Sequence, residues 1–126
     1  MPNDEFMKDN LIQDKSYEFA LATVHLYKKL VGEQKEFVLS KQLLRSGTSI
    51  GANVEEAIGG QSDRDFFTKM TIAYKEARET RYWLRLLHDS GYLKEEDARV
   101  LDEKCEELCR ILSKIQLTLK SRLENS

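Results

Sequence analysis

Residues Phe37 to Gly60 read FVLSKQLLRSGTSIGANVEEAIGG. Leu43, Gly47, Ile50, Val54 and Ala57 recur at steps of four and three, the spacing of one helical stripe. Leu44, Gly51 and Ile58 lie beside them and widen it. A second face carries Arg45, Ser49, Asn53 and Glu56, again at helical steps. The stretch therefore reads as one helix with a narrow apolar seam and an ordered polar row. Gly47 and Gly51 each cost about 1 kcal/mol in a helix interior relative to alanine. Ser46, Thr48 and Ser49 are mediocre helix formers as well. A segment this weak in propensity is held by packing, and glycines in the seam let a neighbouring backbone come close. We expect a tight helix crossing near Gly47 and Gly51. The alternative is a loop at Ser46-Gly47-Thr48 that splits the helix, although the apolar period runs through it unbroken.

Working outward, the rest of the chain repeats this helical grammar. Helix 1 is expected from Asn10 or Leu11 to Val31, with a stripe of Tyr17, Leu21, Val24, Lys28 and Val31, Ala20 and Leu30 adjoining, and Gly32 at the left-handed position that ends it. Residues 1–10 read as a flexible arm, and residues 11–123 as the single bundle domain. Ser62, with Asp65 three residues on, caps a third helix that ends at Gly91. Its core stripe is Phe66, Met70, Ala73, Ala77, Leu84 and Leu87. A fourth helix over about Glu95 to Leu123 carries Leu101, Cys105, Leu108, Leu112, Ile115 and Leu119, spaced four, three, four, three, four, a coiled-coil-like seam. Its acids come early and its bases late, as the helix dipole favours. Short links between four long helices imply an all-α fold, an antiparallel up-down-up-down four-helix bundle.

Composition agrees. The chain has 126 residues, 40% of them hydrophobic and 33% charged, with one proline and six glycines, too little punctuation for a sheet protein. No apolar run approaches the roughly 20 residues that span a bilayer, and the polar start MPNDEFMKDN shows no signal peptide. A cytoplasmic protein with no membrane partner is expected. A net charge of −2 does not announce a nucleic-acid binder, so any such affinity must come from a local patch or from patches summed in an oligomer.

Helix 3 has more apolar surface than one core needs. Ile72, Trp83 and Leu86 form a second stripe beside Glu76 and Glu79 and make a candidate subunit interface. On the opposite flank, Phe67 and Tyr74 sit next to Arg78, Arg81 and Arg85. Arginines beside aromatics can hold phosphates and stack on bases, and they can equally pack against a neighbouring subunit.

Catalytic chemistry finds no foothold. A di-iron bundle needs Glu-x-x-His motifs, but the residues three before His25 and His88 are Ala22 and Arg85. The glycines do not form a phosphate loop. Cys105 and Cys109, one turn apart, are too few for a closed zinc site and lack an adjacent histidine, so they read as small core residues. Glu55, Glu56, Glu76 and Glu79 read as ion-pair partners of Arg45, Arg78 or Arg81. We expect no catalytic residue, no metal and no cofactor.

The run from Gln42 to Leu93, about four-tenths of the chain, resembles the bacterial four-helix-bundle proteins called 23S rRNA intervening-sequence proteins. The likeness lies in Q-L-L-R-S-G-T-S-I-G-A-N-V-E-E (Gln42 to Glu56), S-x-x-D-F (Ser62 to Phe66), K-E-A-R-E-T-R-Y-W-L-R-L-L (Lys75 to Leu87) and G-Y-L (Gly91 to Leu93). The family pattern has R, S-I, N and E at Arg45, Ser49-Ile50, Asn53 and Glu56. It departs at Glu55-Glu56-Ala57, where the family commonly has Ala-Glu-Gly. The resemblance implies a ring-shaped homopentamer of largely unassigned role. A related branch, the accessory proteins of diversity-generating retroelements, is basic and binds nucleic acid and a reverse transcriptase, whereas this chain is slightly acidic. The leading expectation is a non-enzymatic, homo-oligomeric binding or scaffold module with RNA or DNA as candidate ligand. The alternative is a protein–protein adaptor without nucleic-acid affinity.

Overall fold

The computed structural model describes residues 4–125, and side chains from Leu11 to Asn125. Four helices follow in order: α1 (Asp4–Gly32), α2 (Leu39–Ile58), α3 (Asp63–Asp89) and α4 (Glu95–Glu124). Each packs on the next, and α4 closes onto α1. Residue pairings fix every direction. Thr23 faces Gly47 while Ser16 faces Gly51. Arg45 meets Glu79 while Glu56 meets Lys69. Arg81 meets Asp102 while Gln116 meets Thr71. Lys29 meets Asp97 while Lys15 meets Glu107. In each pair one number rises as the other falls, so all four seams are antiparallel and the bundle runs up, down, up, down.

α2 is unbroken through Ser46-Gly47-Thr48, which removes the split-helix alternative. The tight crossing is its contact with α1. A Cβ on Gly47 would lie 2.7 Å from Thr23 Cγ2 and 2.8 Å from its Oγ1, and one on Gly51 would lie 3.3 Å from the Ser16 carbonyl oxygen. The buried hydroxyls at this crossing bond their own helix: Thr23 donates to the Phe19 carbonyl at 2.9 Å and Ser16 to that of Gln13 at 3.2 Å. On the other side of α2, Thr80 donates to Ser46 Oγ at 2.9 Å within the α2–α3 seam. Among the described residues, no buried side-chain nitrogen or oxygen lacks a partner, so these polar atoms escape the cost of unpaired burial.

The stripes expected on α3 and α4 form the core. Met70, Ala73, Ala77, Leu84 and Leu87 are buried, with Phe66 packed at the edge, and so are all six residues of the α4 seam. The α1 stripe is a correction. Ile12, Ser16, Phe19, Thr23, Leu26 and Leu30 face the core, while Tyr17 is 63% and Leu21 45% exposed. The physical reason is the crossing itself: only small side chains fit against Gly47 and Gly51, so the face bearing Ser16 and Thr23 turns inward. Tyr17 and Leu21 are left exposed on a second stripe of the helix, with Val24 and Val31 half-buried along it.

The helix ends differ from expectation in instructive ways. α1 starts at Asp4, so residues 4–10 are helical, and of the expected arm only residues 1–3 lie outside the described residues. Gly32 is the last residue of α1 and does not take a left-handed conformation; Lys35 does, with φ 57°. Gly91 holds φ 91°, as its place after α3 requires. Ser62 accepts from the Asp65 N–H at 3.1 Å, as its capping pattern indicates.

α2 is capped by a residue that the sequence did not single out. Glu36, only 7% exposed, accepts from the backbone N–H groups of Val38, Leu39 and Ser40 at 2.7–3.1 Å. Burial pushes its pKa up, but the hydrogen bonds from Ser40, Leu39 and Val38 outweigh that, and the net shift is below the ordinary value of 4.5. A carboxylate depressed in the folded state contributes stability above its unfolded pKa and loses it as pH falls through the folded one. Glu36→Gln is expected to lower stability by about 1–2 kcal/mol at neutral pH. The gap to the native protein should shrink as pH drops below about 4.5. Urea melts at pH 7 and pH 3 check this, and a gap equal at both pH values overturns the charge argument.

Candidate functional site: the outer faces of helix α3

The polar row of α2 divides. Arg45 reaches across to α3 and pairs with Glu76 at 3.2 Å and with Glu79. Trp83 Nε1 also donates to Glu79, at 2.8 Å, which ties the indole to this network. Glu56 pairs with Lys69 at 2.9 Å. Asn53 instead donates to the Ser49 carbonyl of its own helix at 2.9 Å, and the Ser49 side chain is half-buried beside it. Arg45 and Glu56 thus clamp α2 to α3, while Ser49 and Asn53 shape the helix locally. Interactions with Glu79 and Glu76 raise the Arg45 pKa against a desolvation that acts the other way. Ile72, Trp83 and Leu86 line the same side of α3, partly exposed.

The opposite flank of α3 faces a groove of about 620 Å³ between α3 and α4. Arg81 crosses it and donates to both carboxylate oxygens of Asp102, at 2.8 and 3.1 Å, with Glu106 at 3.9 Å. The hydrogen bonds to Asp102 raise its pKa, and this guanidinium is committed to holding α3 against α4. Arg78 lies over the Tyr74 ring at 5.9 Å and donates to the Tyr74 hydroxyl at 3.0 Å. Arg85 is exposed, and neither it nor Arg78 has a carboxylate partner among the described residues. Phe67 is half-buried against the core, away from any arginine pairing. Of the five flank residues expected to act together, the structure leaves Arg78, Arg85 and part of Tyr74 available.

Tyr82 was not anticipated. It lines the groove, is 48% exposed, and its ring meets Trp83 edge-on at 5.0 Å. Arg78, Tyr82 and Arg85 fall at i, i+4 and i+7, a single helical row; that spacing was the available signal.

The cysteines are core residues. Cys105 is fully buried and its thiol donates to the Ala77 carbonyl at 3.2 Å. Its contact with Cys109 and its burial push its pKa up. Among the described residues, no group of three or more His, Cys, Asp or Glu side chains is placed to hold a metal. No helix there is long and apolar enough to cross a membrane.

Four antiparallel helices with a glycine–threonine crossing and an arginine-bearing third helix define a compact helical-bundle class. The sequence pattern of the family described as 23S rRNA-intervening sequence protein matches residues 8–114, and the chain belongs to that family. It is also similar to a crystal structure of a protein of unknown function from the S23 ribosomal protein family of Bacteroides thetaiotaomicron. That similarity has 53% identity and a TM-score of 0.85, covering 86% of this chain and 97% of the other. No match is found among curated proteins.

Proposed function

We propose that this chain is a non-enzymatic, cytoplasmic scaffold that assembles with copies of itself and presents α3 to a ligand. The observation that carries the assembly is the outward apolar stripe of α1, with Tyr17 63% and Leu21 45% exposed. Ile72, Trp83 and Leu86 on α3 supply a second apolar face, on a helix that does not pack against α1. Two unlike faces on one subunit suit a heterologous contact, which closes into a ring when the rotation per subunit permits. Five subunits is the number that the family resemblance implies.

Light scattering tests this. The native protein is expected near five times the 14.7 kDa chain mass. Tyr17→Glu combined with Leu21→Glu is expected to reduce it to monomer with helical circular dichroism unchanged, because charges placed in an apolar contact are desolvated without partners. A native protein that is monomeric at high concentration overturns the proposal.

The ligand reading is nucleic acid, and what supports it is the pair of guanidinium groups on Arg78 and Arg85, without carboxylate partners among the described residues. Phosphate contacts weaken steeply as salt rises, so binding of RNA or DNA that is insensitive to salt, or absent, favours the protein-adaptor reading instead.

A further inference from the structure

We infer that the row Arg78–Tyr82–Arg85 is a binding site for single-stranded nucleic acid, with one base stacked on Tyr82 and the flanking phosphates on the two arginines. This rests on the nucleic-acid reading above and makes it specific. Seven residues along a helix cover about 10 Å, and arginine side chains reach inward or outward from that span. The two guanidinium groups can therefore hold phosphates on either side of a base lying between them. A single aromatic face between two cations is the arrangement with which proteins track a strand: the backbone is held by charge and the base by its π-face.

The surrounding charges leave this row free to act. The groove is lined by four arginines against two carboxylates, Glu95 and Asp102. Asp102 is paired with Arg81, and Glu95 lies 2.7 Å from His88 Nε2. Arg99 is occupied by Glu96 and Glu103. Arg78 and Arg85 are thus the groove arginines without a carboxylate partner among the described residues, and they stand available on a chain of net charge −2. Tyr82 is steadied by its edge contact with Trp83, which is anchored in turn on Glu79, so stacking does not have to order a mobile ring. A duplex hides its base faces in its own stack and offers Tyr82 nothing.

The test uses the full chain and short fluorescein-labelled strands of mixed sequence, as RNA and as DNA, each single-stranded and as a duplex. Anisotropy is read at two salt concentrations. Single strands of at least one kind are expected to bind more tightly than their duplexes. Tyr82→Leu is expected to weaken binding about tenfold or more, and Tyr82→Phe to retain it. Arg85→Gln is expected to reduce the slope of log affinity against log salt by about one. Circular dichroism of each variant separates lost binding from lost fold. Duplex binding as tight as single-strand binding, or a Tyr82→Leu protein that binds like the native one, overturns this site and leaves the broader nucleic-acid reading standing. No binding of any strand overturns both.

Discussion

Replacing Phe19 with alanine is expected to cost about 3–5 kcal/mol, whereas Leu21→Ala should cost less than about 1 kcal/mol. Both residues are large, apolar and on the same helix, two positions apart. Phe19 is 2% exposed within the core and Leu21 lies on the outward stripe. Truncating Phe19 removes buried apolar surface and leaves a cavity that rigid neighbours fill only partly. Truncating Leu21 removes a side chain that is already 45% exposed, so much less buried surface is lost and no enclosed cavity forms. Denaturant melts in dilute protein, where subunit contacts contribute least, give the comparison. Equal losses at the two sites would mean that α1 is rotated from the orientation described.

The second large effect is expected at Gly47. Gly47→Leu should destabilise by about 3 kcal/mol or more, because overpacking a filled seam forces backbone and side chains apart. The smaller change Gly47→Ala sets two effects against each other. Alanine gains about 1 kcal/mol of helix propensity, but its Cβ would fall 2.7 Å from Thr23 Cγ2. Thr23 cannot swing aside easily, since it is β-branched and its hydroxyl is bonded to Phe19. Overpacking costs of about 1–3 kcal/mol then win, and Gly47→Ala is expected to be net destabilising. Thr23→Ala removes the Cγ2 and Oγ1 atoms and leaves only the Cβ contact at 3.2 Å. The double variant should therefore be more stable than the sum of the two singles predicts, by about 0.5 kcal/mol or more. Strict additivity would show that the two positions do not touch.

These residues also show where sequence reading succeeded and where it stopped. The α4 seam was legible because each of its six positions from Leu101 to Leu119 is apolar and the four–three period never breaks. The crossing at Gly47 and Gly51 was legible because two helix-weakening residues in one stripe demand a packing reason. The partner face on α1 was not. It is written with Ser16 and Thr23, whose hydroxyls look like solvent residues until their own-helix hydrogen bonds are seen. Apolar counting therefore favoured Tyr17 and Leu21. The Glu36 cap escaped for a related reason: Phe37 and Val38, both exposed, stand between it and the helix where a Ser, Thr or Asp is usually sought.

On the flank of α3, aromatic and basic composition marked the right surface. Which arginines remain available depends on Asp102 and Glu106 of another helix, and tertiary pairing of that kind leaves no local trace. Tyr82 was hidden by its neighbour Trp83, which drew attention to the other side of the helix. The row that it completes emerges only once Arg81 is seen to be spent on α4.

The neighbour-by-neighbour order of the bundle has a consequence for how the molecule comes apart. Three seams join helices adjacent in sequence, so each is a hairpin whose ends are held close by a short link and cost little entropy to close. The seam between α1 and α4 alone spans nearly the whole chain, and it is also the thinnest. The ion pairs across it, Lys15 with Glu107 and Lys29 with Asp97, are partly exposed, and such pairs contribute at most about 1 kcal/mol each. The molecule is therefore built like a book: three bound folds, and one fore-edge along which it opens first and shuts last.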